Sequence, residues 1–525
     1  MKNNTISVKK ILPIAGVFNP PTPPRKHKSN TKLRSLGALL AAVFLIASIG
    51  TPAWADRKTD AERLRSVVEH GGIMKHLEAL QKIANRNGGN RYVGTRGDLQ
   101  TRNYIASVLT RAGFKNVQRL PVVFENFKEK TPAILELVSP TSKFYVNGLA
   151  GSPNAQFDIM QSSGNGDITA NIQAVQIMDP PGPTPSSSDS GCDPAHFSSF
   201  VAGNIALIQR GTCTFSTKVA NAIDAGAVGV IIFNEGQPGR TALIGALLST
   251  PVSIPVVSAE WAVGKELYDL SSQGTVNVHM KTDAEYIHTE TENIIAETTG
   301  RPDHVVMVGA HLDSVDEGPG IDDNGSGIGT LLEIAKGMQR LHIQPLNKVR
   351  FAFWGAEEEA QVGSGQYVNG LSDVDAGKIA LYLNADMLGS PNFVPSVYEA
   401  DYNVLPPAFA SPPPAPGSIE IEQVLVDYFN GVGPSPKLLN IDQRSDYRFF
   451  LLNGIPFAAI TSGFDGNKTD AEAVDFGGTA GEPYDACYHK KCDNIHNVSE
   501  DSLDLMSGAL VHTIMEFAKR DVIFP

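Results

Sequence analysis

Cysteine is scarce in this chain of 525 residues: Cys192, Cys213, Cys487 and Cys492 are all there are. Four cysteines allow three pairings, of which the neighbouring one, 192 with 213 and 487 with 492, is the simplest. Neither pair has the Cys-x-x-Cys spacing, which argues against a thiolate zinc site. Charged residues are few as well, 19% against 42% hydrophobic. Large packed cores are therefore within reach and global disorder is excluded. No segment repeats at a fixed period, which excludes solenoids and propellers. No Gly-x-Ser-x-Gly elbow is present, and the polar Gly-rich loop 318–327 lacks the Gly-Lys-Ser/Thr ending of a phosphate-binding loop.

Acidic residues are missing from the first 55 positions, which hold eight Lys or Arg. A basic stretch (Arg25, Lys26, Lys28, Lys32, Arg34) precedes the apolar run from Leu36 to Ile49, and Ala53-Trp54-Ala55 follows as a small-x-small cleavage site. This is the anatomy of a secretory signal peptide over residues 1–55, with an unusually long basic leader. The apolar run has 14 residues, short of the roughly 20 that a spanning helix needs, so no membrane anchor is expected after cleavage. Removing the leader takes the formal charge from −13 to −21. So acidic a chain repels nucleic acid and anionic membrane, which excludes both as partners, and it suits life outside the cell or in transit through a periplasm. Export also makes disulfides plausible.

The mature part divides by character. Leu77, Leu80, Ile83 and Ala84 fall at helical spacing, and a break at Gly88-Gly89-Asn90 leads to a second helix from about Leu99 to Ala112. Gly113 ends it, and the run Val117 to Phe124 reads as a strand. From about 135 to 285 short apolar strands alternate with turn clusters. Residues 204–211 and 226–234 read as strands there, with a helix opening at Cys213 and running to Ala225. From 291 onward strands and helices alternate, which implies an α/β sheet covered on both faces. Strands are expected at Val305–Ala310, Val349–Trp354 and Ile379–Ala385. Helices are expected at Gly327–Met338, Gly363–Asn369, Ile419–Phe429 and Leu503–Lys519, with an irregular excursion at Pro406–Pro416.

Active sites of open α/β sheets gather beyond the carboxyl ends of strands. Three such ends carry metal-type ligands: His311 and Asp313 after the first strand, Glu357 and Glu358 after the second, and Asp386 after the third. The loop 318–327 adds Asp322 and Asp323. Imidazole and carboxylate ligands without thiolate suit zinc or another divalent ion at a catalytic site. Each piece alone has a bland reading, such as paired glutamates serving a helix dipole. Three ligand-bearing strand ends within 80 residues make coincidence the poorer explanation.

Two resemblances follow from these residues. The Gly211-x-Cys213-x-Phe215-x-x-Lys218 turn between two buried strands resembles the protease-associated domain. That module often joins its turn cysteine to one upstream, here Cys192. The runs GAHLDSVDEGPGIDDNGSG, VRFAFWGAEEEAQVGSGQYV, LNADMLGSPN, QRSDYRFF and GEPYDACYHKKCDNI resemble, in order, the secreted bacterial aminopeptidases of metallopeptidase family 28. The implied fold is a mixed-sheet zinc-exopeptidase domain covered by helices on both faces, with an inserted β-rich domain. Its parts would be 56–134 and 286–525, with the insert at 135–285. The implied cofactor is a pair of zinc ions, one on His311 and Asp386 and the other on Glu358 and His489. Asp323 would bridge them rather than Asp322, and His496 would stand aside. Asp313 would orient His311. Glu357 would be the general base towards a water held between the ions, and Tyr488 would donate to the oxyanion.

The implied activity is removal of the N-terminal residue from peptides or proteins by a monomer, with bulky apolar residues preferred. Arg444 would lie near the substrate, and Met387, Ile460, Thr461 and Phe464 are candidate pocket walls. Two other readings stay open. A carboxypeptidase of the same superfamily would use arginines such as Arg350, Arg444 and Arg448 to hold an acidic C-terminal residue. A binding protein on a scaffold that had lost its metal is disfavoured by the complete ligand set.

Overall fold

The computed structural model describes residues 59–148, 154–407 and 411–524. The expected leader 1–55 lies outside the described residues. Two eight-stranded sheets organise the chain. The first runs, edge to edge, Gln118–Glu129, Ala284–Glu297, Asn347–Trp354, Arg301–His311, Ile379–Ala385, Phe457–Thr461, Ser396–Tyr398 and Lys437–Leu439. Its four central strands are mutually parallel, and antiparallel partners flank them on both sides. All four central strands therefore end at one edge, where their carboxyl termini deliver His311, Glu357, Glu358 and Asp386.

The apolar run at Val305 explains why this sheet is covered twice. Side chains alternate along a strand with period two. Val306, Val308 and Ala310 join one core with helices His70–Arg86, Arg96–Ala112, Gly327–Arg340 and Glu500–Lys519. Val305 and Met307 join another with helices Val362–Asn369 and Tyr447–Leu452. A strand buried on both faces has to be apolar throughout, as this one is. Each such side chain contributes about 1.5–3 kcal/mol by burial. Among the described residues no helix is long and apolar enough to cross a membrane.

The second sheet has the order Lys143–Phe144, Ile134–Ser139, Asn277–Thr282, Gly166–Val175, Ile205–Gln209, Gly229–Phe233, Val256–Ala259 and Phe157–Ile159. Four neighbouring strands, from Gly166–Val175 to Val256–Ala259, are parallel. Helices Phe215–Asp224 and Trp261–Gln273 connect or cover them. This region is β-rich as expected, but its centre is itself α/β. The helix Trp261–Gln273 escaped the sequence reading because its buried face is only Val263, Gly264 and Leu267. Gly264 is required there, since a Cβ would stand 1.9 Å from the Phe233 ring.

The strand expected at Val117–Phe124 runs on to Glu129, because Gln118–Glu129 pairs with Ala284–Glu297 along its whole length, from Gln118 opposite Ile295 to Glu129 opposite Ala284. The second sheet thus leaves and re-enters the first through two directly paired residues, where a hairpin turn would otherwise stand. Its apolar cores share no residue with those of the first sheet. Replacing residues 131–282 by an Asn-Gly turn, which suits a two-residue hairpin, is expected to leave a soluble protein with a single cooperative thermal transition. Calorimetry checks this; a product without a transition would show that the two halves fold only together.

Candidate metal centre and cleft

Arg91 builds the floor of the site. It is fully buried, and its guanidinium donates to the carbonyl oxygens of Leu312, Pro319 at 2.9 Å and Gly320 at 2.6 Å, and more weakly to that of Asp313 at 3.4 Å. This clips the end of the Arg301–His311 strand to the polar loop that follows. Gly320 has φ +60°, and a Cβ there would lie 2.3 Å from the Asp323 carbonyl oxygen. In the next turn Asp493 accepts from the backbone N–H groups of Asp322 (2.8 Å) and Asp323 (3.0 Å). The two neighbouring aspartates then diverge. The Asp322 carboxylate accepts from Gly389 N–H at 2.8 Å and from the Ser390 hydroxyl at 3.0 Å. Asp323 turns towards the imidazoles instead.

Asp323 stands between two rings, with Oδ1 3.0 Å from His311 Nε2 and Oδ2 3.2 Å from His489 Nε2. Asp386 Oδ1 lies 3.4 Å from His311 Nε2, and Glu358 Oε2 lies 3.2 Å from His489 Nε2. The five side chains therefore form two half-sites around one shared carboxylate. Asp386 Oδ1 and Glu358 Oε1 are buried with no hydrogen-bond partner. His311, Asp323 and Glu358 place ligand atoms within 4.8 Å of one another. Carboxylates so buried are costly unless a cation neutralises them. Burial and repulsion by other carboxylates, against the pull of His311, hold Glu357 well above its ordinary range. Burial opposes charge on His489, yet Glu358 and Asp323 push its imidazole up to about 11. The same field attracts a divalent ion, and the donor set of imidazole and carboxylate suits zinc.

Directional hydrogen bonds orient these groups. The Trp354 indole N–H can only donate, and it donates to the Tyr382 hydroxyl at 2.9 Å. Tyr382 must then donate to Asn384 Oδ1 (2.9 Å), whose amide donates to Ser445 Oγ (2.8 Å), which donates to Asp386 Oδ2 (2.5 Å). One Asp386 oxygen is so occupied, and the other faces His311. The Gln361 amide donates to Glu357 Oε1 at 2.9 Å. Asp313 differs in detail from its expected role. Its carbonyl oxygen, not its carboxylate, is the nearer partner of His311 Nδ1, at 3.3 Å against 3.8 Å. The carboxylate accepts instead from the N–H groups of Glu357 (3.1 Å) and Glu358 (3.3 Å), joining two strand ends.

A cavity of about 340 Å³ opens over the cluster, walled by Met387, Ile460, Thr461, Phe464 and Tyr488 among others. Arg444 lies at its rim, donating to Asp465 at 2.8 Å and to the Tyr488 hydroxyl at 3.2 Å, with its guanidinium over the Phe464 ring. Arg350 does not reach this cavity; it pairs with Glu297 and Tyr367. His496 is exposed and does not line it. Both neighbouring cysteine pairs are disulfides, and Cys487–Cys492 closes a loop around Tyr488 and His489. His489 itself has φ +54°. Arg448, expected only in the carboxypeptidase reading, also lines the cavity, whereas Arg91, Gln361 and Ser445 carry no expectation from the sequence. The signal for Ser445 and Arg448 is their place inside QRSDYRFF, and for Gln361 its place inside VRFAFWGAEEEAQVGSGQYV; Arg91 lies in none of these runs.

Residues 293–514 match peptidase family M28, and residues 174–267 match the PA domain. An aminopeptidase of Pseudomonas aeruginosa is 41% identical over 447 residues, which are 84% of this chain and 80% of that protein. A probable leucine aminopeptidase 2 of Aspergillus fumigatus is 34% identical over 435 residues, 82% of this chain and 79% of that protein. The solved structure of an aminopeptidase from Aneurinibacillus sp. strain AM-1 shares the fold, with a TM-score of 0.67 at 22% identity over 89% of this chain and 98% of that one.

The short Cys487–Cys492 loop spans a sequence separation of 5. In the chain-entropy model even a 15-residue loop contributes only about 3 kcal/mol, so its larger effect is on the position of Tyr488 and His489. The Cys487→Ser, Cys492→Ser variant is expected to bind zinc about tenfold to a hundredfold more weakly while its melting temperature moves little. Zinc titration and a thermal scan check this; a strongly lowered melting temperature with normal zinc affinity would contradict it.

Proposed function

The chain is a member of peptidase family M28, and on that premise we propose that it is a secreted aminopeptidase holding two zinc ions and preferring bulky apolar N-terminal residues. The observation that carries the reading is Asp323 standing between His311 and His489, each imidazole with a second carboxylate of its own. His311 and Asp386 would hold one ion, His489 and Glu358 the other, and Asp323 both. Residues 56–134 and 286–525 are taken as the peptidase domain and 135–285 as the inserted domain. Export rests on the basic leader and is in keeping with the two disulfides.

Zinc bound there supplies a Lewis acid that polarises the scissile carbonyl and brings the pKa of a water towards neutrality. The chain's own residues do the rest. Glu357 lies beside the ligand set without belonging to it, 3.9 Å from His311 Nε2, and it takes the water's proton and returns it to the leaving amine. Gln361 keeps one Glu357 oxygen in place, so the other faces the reaction. Arg444 can only donate, so the Tyr488 oxygen accepts from it and the phenolic proton stays free for the developing oxyanion. Met387 and Ile460 are buried beside the cluster, and with Thr461 and Phe464 they offer the N-terminal side chain an apolar wall. Of the three arginines named for a carboxypeptidase, Arg444 and Arg448 line the cavity and Arg350 does not, being held by Glu297 and Tyr367.

Two measurements test this. Leu-Gly should be hydrolysed and N-acetyl-Leu-Gly should not; the reverse would make the enzyme something other than an aminopeptidase. Glu357→Gln should keep its zinc while kcat falls by a factor of about 10²–10⁴. Loss of a zinc ion from that variant would instead make Glu357 a ligand and transfer the base role to Glu358.

A further inference from the structure

The two arginines of the cleft are differently engaged. Arg444 is occupied by Asp465, Tyr488 and the face of Phe464. Arg448 lines the same cavity, half-buried, and has no carboxylate partner among the described residues. Its guanidinium lies over the Phe449 ring, one N–H donates to Gln361 Oε1 at 3.3 Å, and the Nε is buried with no acceptor. The half-buried Arg102, Arg240 and Arg350 meet carboxylates, while Arg65 and Arg210 meet carbonyl or amide oxygens instead. A buried donor is normally satisfied, so an orphan on an arginine that lines a cleft points to a missing partner for that guanidinium.

The place of that partner follows from the chain Arg448 to Gln361 to Glu357. Gln361 accepts from Arg448 with its oxygen and donates to Glu357 with its nitrogen, so one side-chain amide separates the guanidinium from the base. In the proposed reaction Glu357 hands its proton to the leaving amine, whose nitrogen must lie within hydrogen-bond reach of it. In a dipeptide the α-carboxylate begins two bonds beyond that nitrogen. In a longer peptide the same place holds a neutral carbonyl. A guanidinium binds a carboxylate through two charge-assisted hydrogen bonds, which a carbonyl cannot match.

We propose that Arg448 is a specificity-determining residue that receives the free α-carboxylate of a dipeptide, making dipeptides the favoured substrate class. The proposal rests on the aminopeptidase reading. It competes with one alternative, in which Arg448 touches no substrate and only steadies Glu357 through Gln361.

The test compares Leu-Gly, Leu-Gly-NH₂ and Leu-Gly-Gly on the zinc-loaded full chain. Wild type should favour Leu-Gly over both others by about tenfold or more in kcat/KM, with the difference in KM, as expected for a binding contact. In Arg448→Met the ratio should fall towards one, and in Arg448→Lys, which keeps the charge without the fork, it should lie between. If zinc content shows that the Met variant has lost its site, the Lys variant decides. A wild-type ratio near one overturns the proposal. So does an equal loss on all three substrates in the variants, which would make Arg448 a positioning residue for Glu357. Cleavage of N-acetyl-Leu-Gly in preference to Leu-Gly would instead defeat the aminopeptidase reading, so the two failures are distinguishable.

Discussion

Arg91 donates into the carbonyl groups of Leu312, Asp313, Pro319 and Gly320 from a fully buried position, and so ties the strand that ends at His311 to the loop that carries Asp323. The loop that carries Asp323 is glycine-rich, and without the guanidinium the carbonyl oxygens of Leu312 and Pro319 would face the interior unpaired. The guanidinium also serves as a buried positive charge. Burial works against its ionisation, and Asp313, Asp493, Asp323 and Glu358 work for it. One residue from the amino-terminal part of the chain thus ties down the loop backbone and offsets some of the repulsion among the carboxylates. A bound cation would offset most of the remainder.

Orientation is then settled by bonds whose direction is forced. Because an indole N–H only donates, each donor from Trp354 through Tyr382, Asn384 and Ser445 has a single possible direction, and the chain ends on one oxygen of Asp386. Asp313 uses its two carboxylate oxygens on consecutive backbone N–H groups, which sets Glu357 and Glu358 facing the cluster. Gln361 does the same for one oxygen of Glu357. A carboxylate with one oxygen spoken for presents the other at a defined place, and catalysis depends on that definition to within about 1 Å.

The inserted sheet adds nothing to this constellation, since all five candidate ligands and both arginines of the cleft belong to the first sheet and its connections. Its attachment at Glu129 and Ala284, a directly paired couple on neighbouring strands, lets a whole α/β unit replace a hairpin turn without disturbing the register on either side. Domain insertion succeeds at such sites because the two ends of the host are already adjacent.

What the sequence by itself determined is whatever short-range pattern controls. The unbroken apolar run before His311 means a strand buried on both faces, and the ligand-type residues after three such strands mark the edge where a site forms. Helices with a full apolar stripe, such as Gly327–Arg340, were legible too. Two helices were not: Tyr447–Leu452 has too few turns to show a period, and Trp261–Gln273 buries a glycine where a stripe would need bulk. The tertiary structure alone decided which residues meet. Arg91 lies more than 200 positions from the loop it holds, and Arg448 lies 87 from Gln361. Nothing local distinguishes Arg91 from an ordinary surface arginine, and the run QRSDYRFF marks Arg448 without showing its partners, because burial and partners are properties of the packed chain. Asp322 and Asp323 are adjacent and chemically identical; the family resemblance favoured Asp323, and the path of the backbone is what sends the two to different neighbours.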